Sequence, residues 1–264
     1  MGVLKIVLFV ICLYVVIVWV KVLFSFIISI ALRNRNVAYV DRRPLRLTAT
    51  AAAICLEMLS ILRIQAVMVY RFFVRSRRKT AIVYLDSAKT PILLVPGFGA
   101  FAPCMGSLGH MLRSRGSGPV FEFQPGVMFA PIEEFANRLS ARIDSILKST
   151  GADRIDLVGH SMGGLVARYY IEQLGGDSKV RRCVTIHTPH HGTILAFLVP
   201  GENTRQMRPH STFLTRLNFM ETDPRRRRIS SIWSPFDNIV IPPTSSILGG
   251  SARNIRIDYM PHFS

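Results

Sequence analysis

The stretch RIDLVGHSMGGLVARYY, residues 154–170, places a serine between two glycines at the point where a strand-like run gives way to a helix-like one. The residues before Ser161 form a short apolar run typical of a buried parallel strand, and the apolar residues after it recur at helical spacing. A strand, a sharp turn and a helix around G-x-S-x-G form a nucleophile elbow, in which Gly159 and Gly163 leave room for a strained serine backbone. The pattern predicts Ser161 as a nucleophile, and a glycine-rich turn without chemistry is the alternative.

The chain from residue 90 onward alternates short apolar runs with helical stretches. This alternation predicts an α/β fold with a mostly parallel sheet and helices on both faces. We expect strands at 91–95, 154–158, 180–186, 229–233 and 254–257, and helices at 131–149 and 162–174. Residues 80–264 are therefore predicted to form the catalytic domain.

An activated serine requires a base and an acid that orients the base. In this architecture the three residues follow one another in the order serine, acid, histidine. His262 is the one histidine after the acidic candidates near the C-terminal strands, and Asp237 directly follows the predicted strand 229–233. Both residues then lie at carboxyl ends of strands, the sheet edge that also carries Ser161. Asp258, four residues before His262, is the rival acid.

Two backbone N–H groups are needed to bind an oxyanion beside the serine. Met162 supplies one by its position after the nucleophile. The motif LLVPGFGA offers Phe98 as the second donor, since the preceding Gly97 allows the chain to turn toward the site. A simple turn would also explain the sequence PGFG.

Taken together, the motifs resemble those of a bacterial lipase of the α/β-hydrolase superfamily, similar to the class 2 triacylglycerol lipases. The resemblance runs from about residue 91 to 262, through LLVPGF, GHSMGG, TPHHGT, FDNIVIP and NIRIDYMPHFS. It implies an α/β-hydrolase fold with Ser161 as nucleophile, Asp237 as acid, His262 as base, and Phe98 and Met162 as oxyanion donors.

The sequence departs from that family in two places. Family members often have His-Gly before the first oxyanion residue, where this chain has Pro96 and Gly97. They also usually continue past the histidine with an apolar helical tail that buttresses it, whereas this chain ends at Ser264. We therefore expect a base that is held less firmly than in those relatives.

The N-terminal part has a different character. Residues 6–32 are almost continuously apolar with Lys21 as the one charge, which predicts a transmembrane helix within 1–32; a cleaved signal peptide is the alternative. Residues 33–79 are predicted to form a basic loop and a second helix. The second apolar segment, 47–74, contains Glu57, Arg63 and Arg71, which favours a helix in the membrane interface or packed on the catalytic domain over a second crossing.

The net charge of +17 is concentrated in the first 79 residues, which hold 13 basic and 2 acidic side chains. Basic clusters beside apolar segments fit anionic lipid headgroups, and no nucleic-acid motif accompanies them; solvated flanks are the other interpretation. By the positive-inside rule the arginine-rich loop is cytoplasmic. We expect a bacterial inner-membrane protein whose catalytic domain is cytoplasmic if segment 47–74 does not cross and outside if it does.

The four cysteines show no metal-site spacing, and we expect neither a metal nor another cofactor. Residues 192–228 form an apolar insertion between the TPHHGT loop and the acid, which is a candidate lid over the site; ordinary helix packing explains it equally well.

These features predict a membrane-anchored serine hydrolase of carboxylic, and specifically lipid, esters that works through an acyl-enzyme. A thioesterase or acyltransferase with the same triad is one alternative, and an inactive membrane-surface binding protein is another. The acyl chain length, the headgroup, the physiological substrate and the oligomeric state are left open. Since every residue assigned to chemistry lies beyond residue 91, we expect hydrolysis of a soluble ester to survive removal of residues 1–32.

Overall fold

The computed structural model describes residues 19–20, 22–31, 47–73, 89–99, 105–126, 128–220 and 223–263. In these residues six parallel strands form a sheet in the order β2-β1-β3-β4-β5-β6. The strands are β1 Ile92–Val95, β2 Val120–Glu122, β3 Ile155–His160, β4 Val180–Ile186, β5 Ile229–Trp233 and β6 Arg253–Arg256.

Eight α-helices occur in the same described residues, with two 3₁₀ turns at Ile194–Phe197 and Pro243–Ser246. The helices are α1 (22–31), α2 Leu47–Phe73, α3 Gly106–Ser114, α4 Ile132–Thr150, α5 Met162–Gln173, α6 Glu202–Gln206, α7 Thr212–Met220 and α8 Asp223–Arg226. The five strands and two helices predicted from the pattern all form, with ends that differ by at most two residues. The pattern did not predict β2 or α3, because both are short.

Strand β1, which lies between β2 and β3, shows why helices cover both faces of the sheet. Its side chains point alternately to opposite faces. Leu93 and Val95 belong to the main core with α4 and α5, whereas Ile92 and Leu94 belong to a second cluster with residues of α3. All four side chains are buried. The predicted α/β architecture with helices on both faces is therefore confirmed.

Helix α4 forms because its apolar residues recur every three or four positions and lie on one side. Gly151 ends the helix in the left-handed conformation, with φ 68°, and its N–H bonds to the carbonyl of Leu147. The buried side of α4 consists of Ile132, Phe135, Ala136, Leu139, Ile143 and Ile146.

Strands β3, β4 and β5 are neighbours, and their carboxyl ends reach the same edge of the sheet. Ser161 directly follows β3, His187 directly follows β4, and Asp237 lies four residues after β5. The topology alone therefore brings these three residues to one place.

The N-terminal helices pack on the catalytic domain. Val22 and Phe26 of α1 and Ala53 and Met58 of α2 are buried in one cluster with Phe236, which lies next to Asp237 in the chain. One side of α1, which lies within the predicted transmembrane segment 1–32, thus contacts the catalytic domain. The packing of α2 on the catalytic domain agrees with one of the two placements expected for segment 47–74.

Among the described residues, no helix combines the length and the apolar character needed to cross a membrane. The first part of the apolar run, residues 6–18, and the two basic clusters at 33–46 and 75–79 lie outside the described residues.

Candidate active site

The turn between β3 and α5 holds Ser161 in a conformation that few residues adopt, with φ 53° and ψ −127°. Its backbone N–H donates to the carbonyl of Ile186 at 2.8 Å, which ties the turn to β4. A Cβ atom on Gly163 would lie 2.2 Å from the Val95 carbonyl oxygen, and one on Gly159 would lie 2.6 Å from the Gly164 Cα. Both glycines are therefore required by close backbone approach, and the strained serine has the geometry of an elbow.

The loop after β1 lies directly on the serine. A Cβ atom on Gly97 would lie 2.8 Å from the Cβ of Ser161, which places the backbone of Phe98 beside the elbow. Met162 is the first residue of α5, where backbone N–H groups have no partner within the helix and carry the positive end of the helix dipole. The N–H groups of Phe98 and Met162 have no hydrogen-bond acceptor among the described residues.

Asp237 is buried at 1% exposure, and its carboxylate is fully engaged. Oδ1 accepts the backbone N–H groups of Ile239 at 2.8 Å and Val240 at 2.9 Å. Burial acts to raise the pKa of this carboxyl, but the neighbouring His262 and His187 outweigh burial and hold the pKa below its ordinary value. Asp237 is therefore an ionised acceptor.

His262 is the partner of that carboxylate. Its Nδ1 lies 3.1 Å from both carboxylate oxygens of Asp237, and the residue is 3% exposed. Because Nδ1 faces Asp237, Nε2 is the nitrogen left for a reacting group. Ser161 and His262 do not hydrogen-bond to each other in the described structure, and such hydrogen bonds often tighten only in the complex with substrate. The expected weak hold on His262 is not found, since the residue is buried and bonded.

The rival acid lies elsewhere. Asp258 is exposed and its Oδ1 accepts a hydrogen bond from Arg256 Nε at 2.7 Å. His190, in the TPHHGT loop, is also buried, but its Nδ1 contacts Arg168 and its Nε2 contacts Thr185, so it belongs to a separate polar network. Of the two candidate acids, Asp237 is the one that hydrogen-bonds to His262.

Two residues near the site were not found from the sequence. His187 Nδ1 lies 2.6 Å from Asp237 Oδ2, so a second histidine bonds the same carboxylate. The sequence signal for His187 is its position directly after β4, the strand that lies between β3 and β5. Glu57 of α2 accepts the backbone N–H of Phe263 at 2.9 Å. An ionisable residue in an apolar helix was its one sequence signal.

His187, Asp237 and His262 also bring three potential metal ligands within 4.8 Å of one another. All three are buried, and each histidine directs its Nδ1 to the carboxylate. Both Nδ1 atoms are thus engaged as hydrogen-bond donors to Asp237, which is the arrangement of an acid that orients imidazoles.

The segment 192–228, the predicted lid, divides into a buried and an exposed part. Met207, Leu214 and Leu217 belong to the main core, whereas Leu198 and Phe219 are 70% and 89% exposed. A cavity of about 490 Å³ lies between this segment and α5, but Ser161, Asp237 and His262 do not line it. Much of the segment is therefore packed as ordinary helix.

A parallel sheet covered by helices on both faces, with an elbow serine after β3 and an aspartate–histidine pair at the same edge, decides the architecture. The chain has the α/β-hydrolase fold. A family described as "alpha/beta hydrolase fold" matches residues 114–213. Aspergillus fumigatus lipase B superimposes with a TM-score of 0.57 at 20% identity, over 67% of this chain and 46% of that chain.

Curated relatives confirm the resemblance to bacterial lipases. The triacylglycerol lipase of Pseudomonas fragi is 32% identical over 120 residues, which are 42% of this chain and 39% of that protein. The triacylglycerol lipase of Pseudarthrobacter phenanthrenivorans is 39% identical over 62 residues, 24% of this chain and 19% of that protein. The chain thus spans less than half the length of these relatives.

Proposed function

We propose that this α/β-hydrolase is a serine hydrolase that cleaves carboxylic esters of lipids through an acyl-enzyme. The observation that carries the proposal is the buried pair of Asp237 and His262 at the sheet edge where Ser161 has the strained elbow backbone. Backbone strain and a buried charge both lower the stability of the folded protein, and their occurrence together is typical of catalytic sites.

The proposed reaction begins with proton transfer from the Ser161 hydroxyl to Nε2 of His262. The hydroxyl oxygen attacks the ester carbonyl, and the imidazolium is stabilised by the ionised Asp237 on its Nδ1 side. The same proton then passes to the leaving alcohol. Water, deprotonated by His262, releases the acid from the serine ester.

The tetrahedral intermediates carry negative charge on the former carbonyl oxygen. The N–H groups of Phe98 and Met162 are the proposed donors, because both residues flank Ser161 and neither N–H is committed to an acceptor among the described residues. Fixed donors of this kind stabilise the oxyanion without reorganisation.

The proposed substrate class is lipid esters. Both curated relatives described above are triacylglycerol lipases, and the segment 192–228 carries exposed apolar side chains. These are Phe197, Leu198 and Phe219, which are suited to contact an acyl chain or a lipid surface.

We further propose that the protein associates with a membrane, with the bacterial inner membrane and its cytoplasmic side as the expected location. Helices α1 and α2 leave apolar side chains exposed, among them Phe24 and Ile27 on α1 and Leu59 on α2. The apolar sequence before α1 and the basic clusters around α2 support the same proposal.

A fluorophosphonate probe tests the central claim. We expect the wild-type protein and the matched Ser178→Ala variant to be labelled. Ser178 is an exposed serine beyond the C-terminal end of α5, the helix that begins at the elbow. Ser161→Ala should remain unlabelled and should not hydrolyse p-nitrophenyl esters. Equal labelling of the Ser161→Ala variant would contradict the proposal.

The same protein can be given esters of increasing chain length and, in parallel, acyl thioesters. Faster turnover of the oxygen esters supports a lipase or esterase, whereas a preference for thioesters would favour the thioesterase alternative.

A further inference from the structure

The N-terminal helices contact both loops that carry the proposed acid and base. Ser29 Oγ of α1 donates to the backbone carbonyl of Asp237 at 2.8 Å. Asn238 Nδ2 donates to Ser25 Oγ of α1 at 3.0 Å. The N-terminal helices therefore support the loops that carry the proposed acid and base, although the residues assigned to chemistry lie beyond residue 91.

Glu57 makes the corresponding contact to the histidine loop. It lies on the buried side of α2, one turn after Ala53, and is 0% exposed. Its Oε2 accepts the backbone N–H of Phe263 at 2.9 Å. The Phe263 ring stands edge-on to the His262 ring with centroids 4.9 Å apart. Through this hydrogen bond α2 reaches the residue next to the proposed base.

The peptide group between His262 and Phe263 is held at both ends. Its carbonyl oxygen lies 2.9 Å from His160 Nε2, and its N–H donates to Glu57. Desolvation, followed by the charges of His262 and His187, lowers the pKa of His160 to about 3, so the ring is neutral and can donate from Nε2. The two hydrogen bonds hold this peptide plane in one orientation. The plane contains the Cα atom of His262, so it also sets the direction of the His262 side chain.

The burial of Glu57 is not explained by packing. Desolvation raises the pKa of its carboxyl to about 7, with Asp237 adding to the rise, while the Phe263 N–H and Asn238 act in the opposite direction. Its Oε1 has no hydrogen-bond partner among the described residues. An apolar side chain of similar size would fill the same space without the free-energy cost of desolvating a carboxyl group.

We propose that Glu57 is a positioning residue for His262, which it holds toward Asp237 by fixing the Phe263 N–H. The proposal rests on the proposed function, in which His262 is the base. Glu57 itself touches no reacting atom in this scheme. Its effect is exerted through the loop, and it makes α2 a necessary part of the site.

Three variants separate positioning from packing. Glu57→Ala removes the acceptor, and Glu57→Gln keeps a carbonyl oxygen at the same place. Met58→Ala disturbs the neighbouring buried position on α2 but leaves the hydrogen bond from Glu57 to the histidine loop in place. We expect kcat for a soluble short-chain ester to fall about 10- to 100-fold in Glu57→Ala at an unchanged KM, since small misplacements of a catalytic group have effects of this size.

Glu57→Gln should stay within about threefold of wild type, because a neutral amide oxygen still accepts the N–H. Met58→Ala should lose thermal stability but keep its kcat. The proposal is overturned if Glu57→Ala keeps the wild-type kcat, if Glu57→Gln falls as far as Glu57→Ala, or if Met58→Ala loses as much kcat as Glu57→Ala.

Amide hydrogen exchange at Phe263 gives a readout that does not depend on catalysis. Exchange should accelerate in Glu57→Ala and remain slow in Glu57→Gln and Met58→Ala. If wild-type protein fails to react with the fluorophosphonate, the proposed function fails, while exchange still shows whether Glu57 fixes this loop. Unchanged exchange in Glu57→Ala overturns the positioning proposal whatever the activity.

Discussion

His187 donates from Nδ1 to Asp237 Oδ2 at 2.6 Å, a shorter hydrogen bond than the 3.1 Å contacts of His262 with the same carboxylate. The aspartate is thus shared by two buried histidines. His187 Nε2 has no hydrogen-bond partner among the described residues, so the ring has its single polar contact at Asp237. We infer that His187 orients the carboxylate.

Removal of the His187 ring should lower catalysis. A charge-assisted hydrogen bond contributes about 1.5–3 kcal/mol, so His187→Ala should lower kcat for a short-chain ester about 10- to 100-fold. His187→Asn, which keeps a donor and tolerates the positive φ of 50°, should lose less. The exposed neighbour His191→Ala serves as control. Wild-type kcat in His187→Ala would rule out this role.

The two candidate acids can be separated by matched substitutions. Asp237→Asn should lower kcat about 10⁴-fold, because it weakens the stabilisation of the His262 imidazolium and its orientation. Asp258→Asn should have nearly wild-type activity, since its carboxylate is exposed and paired with Arg256. Steady-state kinetics with a p-nitrophenyl ester and circular dichroism to check folding are sufficient. A severe defect in Asp258→Asn alone would reverse the assignment.

The close contact at the elbow predicts a large effect on stability. In Gly163→Ala the new methyl group would lie 2.2 Å from the Val95 carbonyl oxygen and 2.6 Å from that of Pro96, neither of which is a flexible side-chain end. We expect a loss of about 1–3 kcal/mol or more in the free energy of unfolding. Gly106→Ala in α3 meets no atom within 4 Å and should be neutral or stabilising. Urea unfolding of both variants makes the comparison, and equal stability would contradict the close packing.

Glu57 should make stability depend on pH in a specific direction. Its pKa is raised from 4.5 to about 7, chiefly by desolvation, so between these values the folded protein keeps a proton that the unfolded chain has released. Stability from this group is therefore complete below pH 4.5 and is lost as the pH rises to 7, by at most about 3 kcal/mol.

The difference between wild type and Glu57→Gln isolates this contribution from those of Asp237 and His160. Unfolding by urea at pH 5, 6, 7 and 8 should show wild type losing stability relative to Glu57→Gln across this range. A constant difference would show that Glu57 does not titrate there.

Membrane association should depend on two separable features. Full-length protein should stay on anionic vesicles in high salt. A protein of residues 33–264 should bind these vesicles at low salt, with about 1 kcal/mol of binding free energy per near-surface Arg or Lys. High salt should release this shortened protein, because it screens the attraction to the headgroups. A sedimentation assay measures both. Release of the full-length protein by salt would argue against an inserted apolar segment.

The same truncation should also affect catalysis. Loss of α1 removes the hydrogen bonds of Ser25 and Ser29 to Asn238 and Asp237. We therefore expect hydrolysis to survive the truncation but kcat of the shortened protein to fall several-fold. Wild-type kcat would show that the α1 contacts are dispensable.

The sequence determined the sheet and the local geometry of the elbow. Short apolar runs between helical stretches specify parallel strands, and the glycines on either side of Ser161 allow the close backbone approach that the turn requires. The chain order of serine, acid and histidine then pointed to Asp237 and His262. These features are local or follow from topology, so a single sequence without an alignment is enough to predict them.

The contacts of distant segments with the loops that carry Asp237 and His262 were decided by tertiary structure alone. The Glu57 contact joins residues 206 positions apart, and the Ser29 contact joins residues 208 positions apart. No periodicity relates such positions, because the contacts depend on how α1 and α2 dock on Phe236 and its neighbours. The sequence showed apolar helices and predicted a membrane role for them. Folding buries one side of these helices in the protein and so makes Glu57 part of the site.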